Sequence, residues 1–251
     1  MPDKTSYLPG EPIWTDLATP DMDSTVAFYS GLFGWEFGGG DEEFGGYGMF
    51  TKDGKNVAGV VPVMFPGQPA VWTSYITSDD ADKTAAVVAE NGGTVLAAPM
   101  DVADLGRMAV LADPVGAAFG IWQPGTMTGA EVIGDEGTFN WTELATRDRA
   151  AAVPFYTTLF GWSAGGGAEY TEFEVNGQPV AGCMDMPEMV PAEVPSYWMP
   201  YFAAEDPAAK AQHAASLGAT VLVPYMEVSE VAFSVVQDPN GSTFGLLKVS
   251  S

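Results

Sequence analysis

The sequence predicts an α+β protein of two tandem domains, each assembled from two βαβββ modules. The first observation behind this fold class is an internal repeat: the segment VAFYSGLFGWEFGGG, which ends at Gly40, returns as VPFYTTLFGWSAGGG, which ends at Gly167. The second is that strand-like alternation and helix-like periodicity follow one another in the same order in both copies. A repeat of this length indicates that each half of the 251-residue chain is a complete domain.

The repeat continues to the end of both copies, and its extent sets the domain bounds. Val-Ala-Gly at 57–59 matches the same triplet at 180–182, and Asp-Pro at 113–114 matches Asp-Pro at 238–239. The domains are therefore predicted to span 8–123 and 137–250. Between them, segment 124–136 is rich in glycine, acidic and small polar residues, which predicts a linker with little to bury.

Each element of the first copy follows from its local pattern, and the second copy repeats the order. Apolar alternation at period two predicts a strand over 12–18. Capping residues at 20–24 and apolar residues at 26, 29, 32 and 33 predict a helix that stops at Gly34. Strands at 47–52, 56–63 and 71–76, a helix at 79–91, and strands at 94–98, 107–112 and 118–123 complete the domain. The glycine runs 38–40 and 165–167 are predicted to be loops.

Composition excludes several classes of partner. Thirty-three acidic residues against nine basic ones give a net charge of −24, which repels nucleic acid phosphates and anionic lipid surfaces. No apolar run has the length of a membrane span, and the first twelve residues lack the pattern of a secretory signal, so a cytoplasmic protein is expected. The single cysteine, Cys183, excludes an intrachain disulfide.

Two motifs resemble a known family. The FYxxLFGW helix and the Asp-Pro-x-Gly turns at 113–116 and 238–241 are similar to those of the vicinal oxygen chelate superfamily, which includes glyoxalase I, extradiol dioxygenases and bleomycin-resistance proteins. The resemblance covers nearly the whole chain and extends to tandem two-domain actinobacterial members labelled hydroxylase or glyoxalase-like. It implies that two modules curl their sheets into a cup around one site, so this chain is expected to form two cups.

The resemblance also implies a divalent metal, held in each cup by histidine, glutamine or glutamate. By register, the six ligand positions of this chain carry none of those residues; they fall on Trp14, Trp141, Thr73, Met199, Gly120 and Gly245. The sole histidine, His213, lies in the second helix of the second copy, where a solvated helix face is expected. One distant histidine does not make a metal site, so no metal and no cofactor are expected.

Aromatic and acidic residues stand where the ligands would be. Asp16 and Glu143 follow the two tryptophans by two residues, hence on the same strand face, and are candidates for proton transfer or for anchoring a ligand. Tyr75 and Tyr201 are the candidate partners for this chemistry. The candidate ligand-binding residues are Trp14, Trp141, Thr73, Met199, Trp122 and Phe50. Two plainer interpretations stay open: the tryptophans pack a core, and the carboxylates bond to backbone or lie at the rim.

Together with the resemblance to bleomycin-resistance proteins, these residues predict a metal-independent protein that binds a hydrophobic, aromatic small molecule in secondary-metabolite resistance or biosynthesis. One alternative is a metal-free enzyme, an oxidoreductase or lyase acting on an aromatic or polyketide substrate, in which the two acids and two tyrosines transfer protons. A second alternative is a divergent metal-dependent glyoxalase or dioxygenase. The expected assembly is a monomer with an internal pseudo-dimer, or a weak homodimer.

Overall fold

The computed structural model describes residues 4–40, 45–188, 190–228 and 231–248. The first copy forms β1 (Pro12–Thr19), α1 (Met22–Phe33), β2 (Glu36–Gly39), β3 (Gly48–Lys52), β4 (Lys55–Pro62), β5 (Val71–Thr77), α2 (Ala81–Glu90), β6 (Thr94–Val102), β7 (Gly106–Ala112) and β8 (Ala118–Pro124). The second copy forms β9 (Phe139–Thr146), α3 (Arg149–Phe160), β10 (Ser163–Gly166), β11 (Tyr170–Val175), β12 (Gln178–Asp185), β13 (Tyr197–Ala204), α4 (Pro207–Ser216), β14 (Thr220–Val228), β15 (Val231–Gln237) and β16 (Thr243–Lys248).

Each copy forms one eight-stranded sheet, and the two sheets have the same strand order. In the first sheet the order is β2-β3-β4-β1-β5-β8-β7-β6, and in the second β10-β11-β12-β9-β13-β16-β15-β14. β1 runs parallel to β4 and β5 runs parallel to β8, while β1 and β5 pair antiparallel at the centre. Each half-sheet with its helix is therefore one βαβββ module, which confirms the α+β fold with two modules in each of two tandem domains.

The helices begin and end where the capping residues require. Asp21 and Asp148 accept hydrogen bonds from backbone N–H groups in the first turns of α1 and α3. Both helices end at a glycine in the left-handed conformation, Gly34 at φ 71° and Gly161 at φ 66°. That conformation is strained for residues with a Cβ, which is why the repeated FGW motif ends the helix.

The helix-bearing faces of the two sheets pack against each other, so the domains form an internal pseudo-dimer. The largest buried cluster joins α1 and the first half-sheet to α4, β13, β15 and β16 of the second domain. Two reciprocal hydrogen bonds cross the interface: Tyr29 donates to Asp238 at 3.0 Å and Tyr156 donates to Asp113 at 3.1 Å. The tyrosine of the repeated helix motif therefore binds the aspartate of the Asp-Pro turn in the opposite domain.

The glycine runs predicted as loops are instead edge strands. Residues 38–39 belong to β2, which pairs with β3, and residues 165–166 belong to β10, which pairs with β11. Backbone pairing with a neighbouring strand outweighs the low strand propensity of glycine. At Gly39 the chain adopts φ 94°, where a Cβ would also press against the backbone of Tyr47 and Gly48.

The segment between the domains is packed rather than free, contrary to the expectation that it has little to bury. Ala130 is 2% exposed and Val132 is 8% exposed. Backbone N–H groups of Ala130 and Glu131 donate to Ile13 and Asn56 of the first domain. Small side chains and glycines let the segment lie flat on the sheet, which composition alone does not distinguish from a flexible linker.

None of the helices in the described part of the chain has the length and apolar character needed to span a membrane.

Candidate functional site

The strand register brings the predicted site residues together on the face of each sheet that is turned away from the helices. In the first sheet Trp14 lies opposite Tyr75 and Asp16 lies opposite Thr73. Opposed residues of an antiparallel pair project from the same face, so these four side chains share one surface. Trp122 joins them, since it belongs to the same buried cluster as Trp14 and Tyr75. We call this surface the N-terminal cup.

A short chain of hydrogen bonds crosses the N-terminal cup. Trp14 Nε1 donates to the hydroxyl of Tyr47 at 2.9 Å, and that hydroxyl donates to Asp16 Oδ2 at 3.3 Å. The hydroxyl of Tyr75 also stabilises the Asp16 carboxylate. The acid is therefore enclosed by two phenols and one indole.

The second sheet repeats this arrangement in what we call the C-terminal cup. Trp141 lies opposite Tyr201 and Glu143 lies opposite Met199. Trp141 Nε1 donates to the hydroxyl of Tyr170 at 3.1 Å, and the hydroxyl of Tyr201 donates to Glu143 Oε1 at 2.9 Å. Each cup thus holds one tryptophan, one carboxylate and two tyrosines in equivalent positions.

Four glycines make room for the tyrosines. A Cβ at Gly120 or Gly245 would overlap the ring of the tyrosine paired with it, Tyr75 or Tyr201. A Cβ at Gly59 or Gly182 would overlap the hydroxyl of Tyr47 or Tyr170 in the same way. Gly120 and Gly245 stand where the resemblance implies a glutamate ligand. In this chain the rings of Tyr75 and Tyr201 fill the space of that side chain.

The carboxylates of both cups have raised pKa values. Burial raises the pKa of Asp16 from its ordinary 3.8 to about 7, and the phenols of Tyr75 and Tyr47 offset part of that rise. Burial likewise raises the pKa of Glu143, with Tyr170 and Tyr201 acting in the opposite direction. The pKa values of all four tyrosines are raised, chiefly by burial and by the neighbouring acid, so their hydroxyls remain protonated donors at neutral pH.

One predicted contact residue lies elsewhere, and two contributors were missed. Phe50 is fully buried in the helix-side core, with its ring 6.0 Å from that of Tyr29, so it faces away from the cup. Tyr47 and Tyr170 were not predicted as site residues. They stand at the same separation in the chain as the matched triplets 57–59 and 180–182, so a full alignment of the copies would have identified them.

The donor set of the cups does not fit a divalent metal. Within the described residues no three histidine, cysteine, aspartate or glutamate side chains converge. Each cup offers one carboxylate, and its neighbours are tryptophan, tyrosine and either threonine or methionine. His213 is exposed on α4, as expected for a solvated helix face.

The architecture defines a tandem protein of the glyoxalase type. In this chain the positions of the usual metal ligands carry other residues in both cups. Residues 12–121 match the Glyoxalase/Bleomycin resistance protein/Dioxygenase superfamily, and residues 141–247 match a glyoxalase-like domain. The chain belongs to this superfamily.

Two relatives in curated collections match over nearly their full length. "Putative glyoxylase CFP32" of Mycobacterium tuberculosis is 36% identical over 260 residues, which cover 99% of this chain and 98% of that protein. The anthracycline biosynthesis protein DnrV of Streptomyces peucetius is 37% identical, over 98% of this chain and 95% of that protein.

Solved structures share the fold at low identity. The Mn(II)-bound glyoxalase from Novosphingobium aromaticivorans has a TM-score of 0.69 at 16% identity, over 96% of this chain and 83% of that one. The 2,3-dioxygenase LapB from Pseudomonas sp. KL28 has a TM-score of 0.67 at 12% identity, over 98% and 94%. At such identity the likeness concerns the fold alone.

Proposed function

We propose that the protein binds a planar, hydrophobic aromatic small molecule without a metal ion, on the tryptophan, tyrosine and carboxylate side chains of a cup. The observation that carries this proposal is the matched replacement in both cups. Positions that would hold metal ligands carry Trp14 and Trp141, while an acid and two phenols surround each indole. Flat apolar rings with a few polar groups suit an aromatic ligand that carries hydroxyl or carbonyl groups.

The expected affinity follows from the area that such a ligand buries. A tricyclic aromatic that loses roughly 300 Å² of apolar surface to the protein gains about 7 kcal/mol at about 25 cal/mol/Å². Ordering costs reduce this figure, so the dissociation constant is expected in the micromolar range or weaker. The name of DnrV supports the ligand class, because anthracyclines are polycyclic aromatic compounds and DnrV is similar to this chain over nearly its full length.

A second candidate function is metal-free proton transfer on the same class of molecule. Burial raises the pKa of both cup acids, Glu143 and Asp16, that of Asp16 to about 7, and this favours proton transfer, because an acid that titrates near neutrality both donates and accepts protons efficiently. In this reaction the carboxylate removes or delivers a proton at a ligand carbon or hydroxyl, and a protonated tyrosine donates a hydrogen bond to the ligand oxygen.

The test uses 1,8-dihydroxyanthraquinone, a planar tricyclic probe, and protein dialysed against EDTA. Tryptophan fluorescence and titration calorimetry should both report binding in the micromolar range, unchanged when Mn²⁺ or Zn²⁺ is added. The control is Tyr225→Phe, because Tyr225 is 48% exposed and its hydroxyl donates a hydrogen bond to Glu227 of the same strand. Binding that appears only after metal addition would overturn the proposal.

The two candidate functions separate on turnover. If the protein is a binder, hydroxyanthraquinones are recovered unchanged after long incubation. If it transfers protons, solvent deuterium enters a carbon position of a related probe with an acidic C–H bond, such as the C10 methylene of 1,8-dihydroxyanthrone, faster than without protein, and Asp16→Asn with Glu143→Gln lowers that rate at least tenfold while binding persists. Unchanged exchange in the doubly substituted protein would exclude the carboxylates as the acid or base.

A further inference from the structure

The two cups have equivalent residues at their floors, but the chain segments around them differ. Residues 125–133, which we call the strap, cross the open side of the N-terminal cup. Met127, Ala130 and Ile133 of the strap belong to or pack on the same cluster as Trp14.

Hydrogen bonds fix the strap in place. Backbone N–H groups of Gly125 and Met127 donate to Leu105, and that of Ala130 donates to Ile13. Side chains add two more bonds, from Trp122 Nε1 to the carbonyl of Met127 at 3.0 Å and from the Tyr7 hydroxyl to the carbonyl of Ala130 at 2.6 Å.

The strap leaves little room in the N-terminal cup. A cleft of about 190 Å³ remains beside the strap, lined by Met49, Leu105 and Met127 among others, and the tryptophans and the acid of the cup do not line it. Ligand sites for molecules of drug size measure roughly 300 Å³ or more. Trp14 is 4% exposed and Asp16 is 7% exposed, so the tryptophan and the acid are covered by the protein itself.

Two equivalent positions in the C-terminal cup are more exposed to solvent, whereas Tyr201 is 5% exposed, as Tyr75 is. Trp141 and Glu143 are partly exposed, unlike their buried counterparts. At the rim, Val102 packs against the strapped cluster, whereas Val228 at the same position of the second copy is 55% exposed.

Two further apolar side chains continue the rim of the C-terminal cup. Met226 is 44% exposed and Val231 is 51% exposed, and both belong to the face of Phe233, whose ring contacts Tyr201. In the first domain the equivalent surface packs against Met127, Ala130 and Ile133 of the strap.

We infer that the C-terminal cup is the ligand site and that the strap occupies the N-terminal cup as a built-in substitute for a ligand, so each chain takes one aromatic molecule. This inference rests on the proposed function. It assigns stacking to Trp141, hydrogen bonding to the Glu143 and Tyr170 pair, and apolar rim contact to Met226 and Val228.

The experiment is a calorimetric titration with 1,8-dihydroxyanthraquinone that measures stoichiometry as well as affinity. The wild-type protein should bind one equivalent. Trp141→Ala should weaken that binding at least tenfold, and Trp141→Phe should retain an intermediate affinity, which guards against simple loss of folding. Tyr225→Phe, an exposed change outside both cups, should bind as wild type does.

Opening the strap provides the converse test. A Cβ at Gly129, which has φ +100°, would overlap Ile13, so Gly129→Ala should displace the strap. Tyr7→Phe is the milder variant, since it removes only the hydrogen bond to Ala130. Both variants should bind a second equivalent of probe with weaker affinity, and the occupancy of this second site should be higher in Gly129→Ala.

The outcomes distinguish the two proposals. Two equivalents bound by the wild type, or one equivalent that survives Trp141→Ala, would overturn the assignment of the cup and leave aromatic binding intact. Absence of binding to any planar aromatic probe would overturn both. A stoichiometry that stays at one in Gly129→Ala, with the strap shown to be displaced by its increased protease cleavage, would contradict its role as a substitute for the ligand.

Discussion

Replacing Asp16 by asparagine tests whether burial raises the pKa of this acid in the N-terminal cup. The pKa of this acid is about 7 in the folded protein against an ordinary value of 3.8. Between those values the native state holds a proton that the unfolded state has released, so the free energy of unfolding falls as pH rises. From pH 5 to pH 8 the fall contributed by Asp16 is about 3 kcal/mol, at about 1.36 kcal/mol for each pH unit up to pH 7.

The assay is urea denaturation of wild type and Asp16→Asn at pH 5, 6, 7 and 8. Asparagine retains an oxygen that accepts the Tyr47 hydrogen bond and carries no charge at any of these pH values. The variant should therefore gain about 3 kcal/mol relative to wild type across this range, most of it below pH 7. The repulsion among the other acidic residues is common to both proteins and cancels in the difference.

A difference in unfolding free energy that stays constant from pH 5 to pH 8 would refute this account. It would mean that Asp16 is already ionised in the native state at pH 5, and hence that its enclosure by Tyr47 and Tyr75 stabilises the anion as well as water does. Carboxyl carbon NMR of labelled aspartate gives the titration of Asp16 directly and must agree with the stability curve.

Further predictions concern the domain interface and the floor of the cup. Tyr29→Phe should lower the free energy of unfolding by about 2 kcal/mol, because the lost hydroxyl leaves a buried indole N–H and a buried carboxylate without this partner; Tyr156→Phe should match it, and Tyr225→Phe should change it by less than about 0.5 kcal/mol. In Gly245→Ala the new methyl group should displace the ring of Tyr201 from Glu143 and weaken probe binding, measured by fluorescence, at least tenfold. Gly167→Ala should bind the probe normally, because there is open space around Gly167. Equal stability of both tyrosine variants and wild type, or normal binding by Gly245→Ala, would contradict these contacts.

The internal repeat made the fold predictable from sequence. Two copies of one pattern provide two independent views of each element, so the helix that ends at Gly34 and the strand that begins near Pro12 were both placed correctly. The edge strand β2 was missed because glycine signals a turn locally, while its pairing with β3 depends on residues farther along the chain.

The site was predictable where strand alternation determines it. Trp14, Asp16, Thr73 and Tyr75 share one face because period two and antiparallel pairing leave no other arrangement. Phe50 lies on the other face. It was expected beside a ligand, but it packs against the helix-side core.

The strap could not be predicted in the same way. Its position depends on hydrogen bonds to residues distant in sequence, such as Ile13 and Leu105, and on glycines that let the backbone approach the sheet. Local composition is the same for a free linker and for a segment packed in this manner. The inequivalence of the cups is therefore a property of the folded chain, although their floors are repeated in the sequence.

A crystal structure of the EDTA-treated protein soaked with 1,8-dihydroxyanthraquinone would show whether a cup holds an aromatic molecule without a metal ion. The probe is expected in the C-terminal cup, with its ring system against Trp141, an oxygen within hydrogen-bond distance of Glu143 or Tyr170, and no metal ion beside it. A probe bound in the N-terminal cup or outside both cups, or a probe held in a cup only through a metal ion after Mn²⁺ or Zn²⁺ is added, would contradict this expectation.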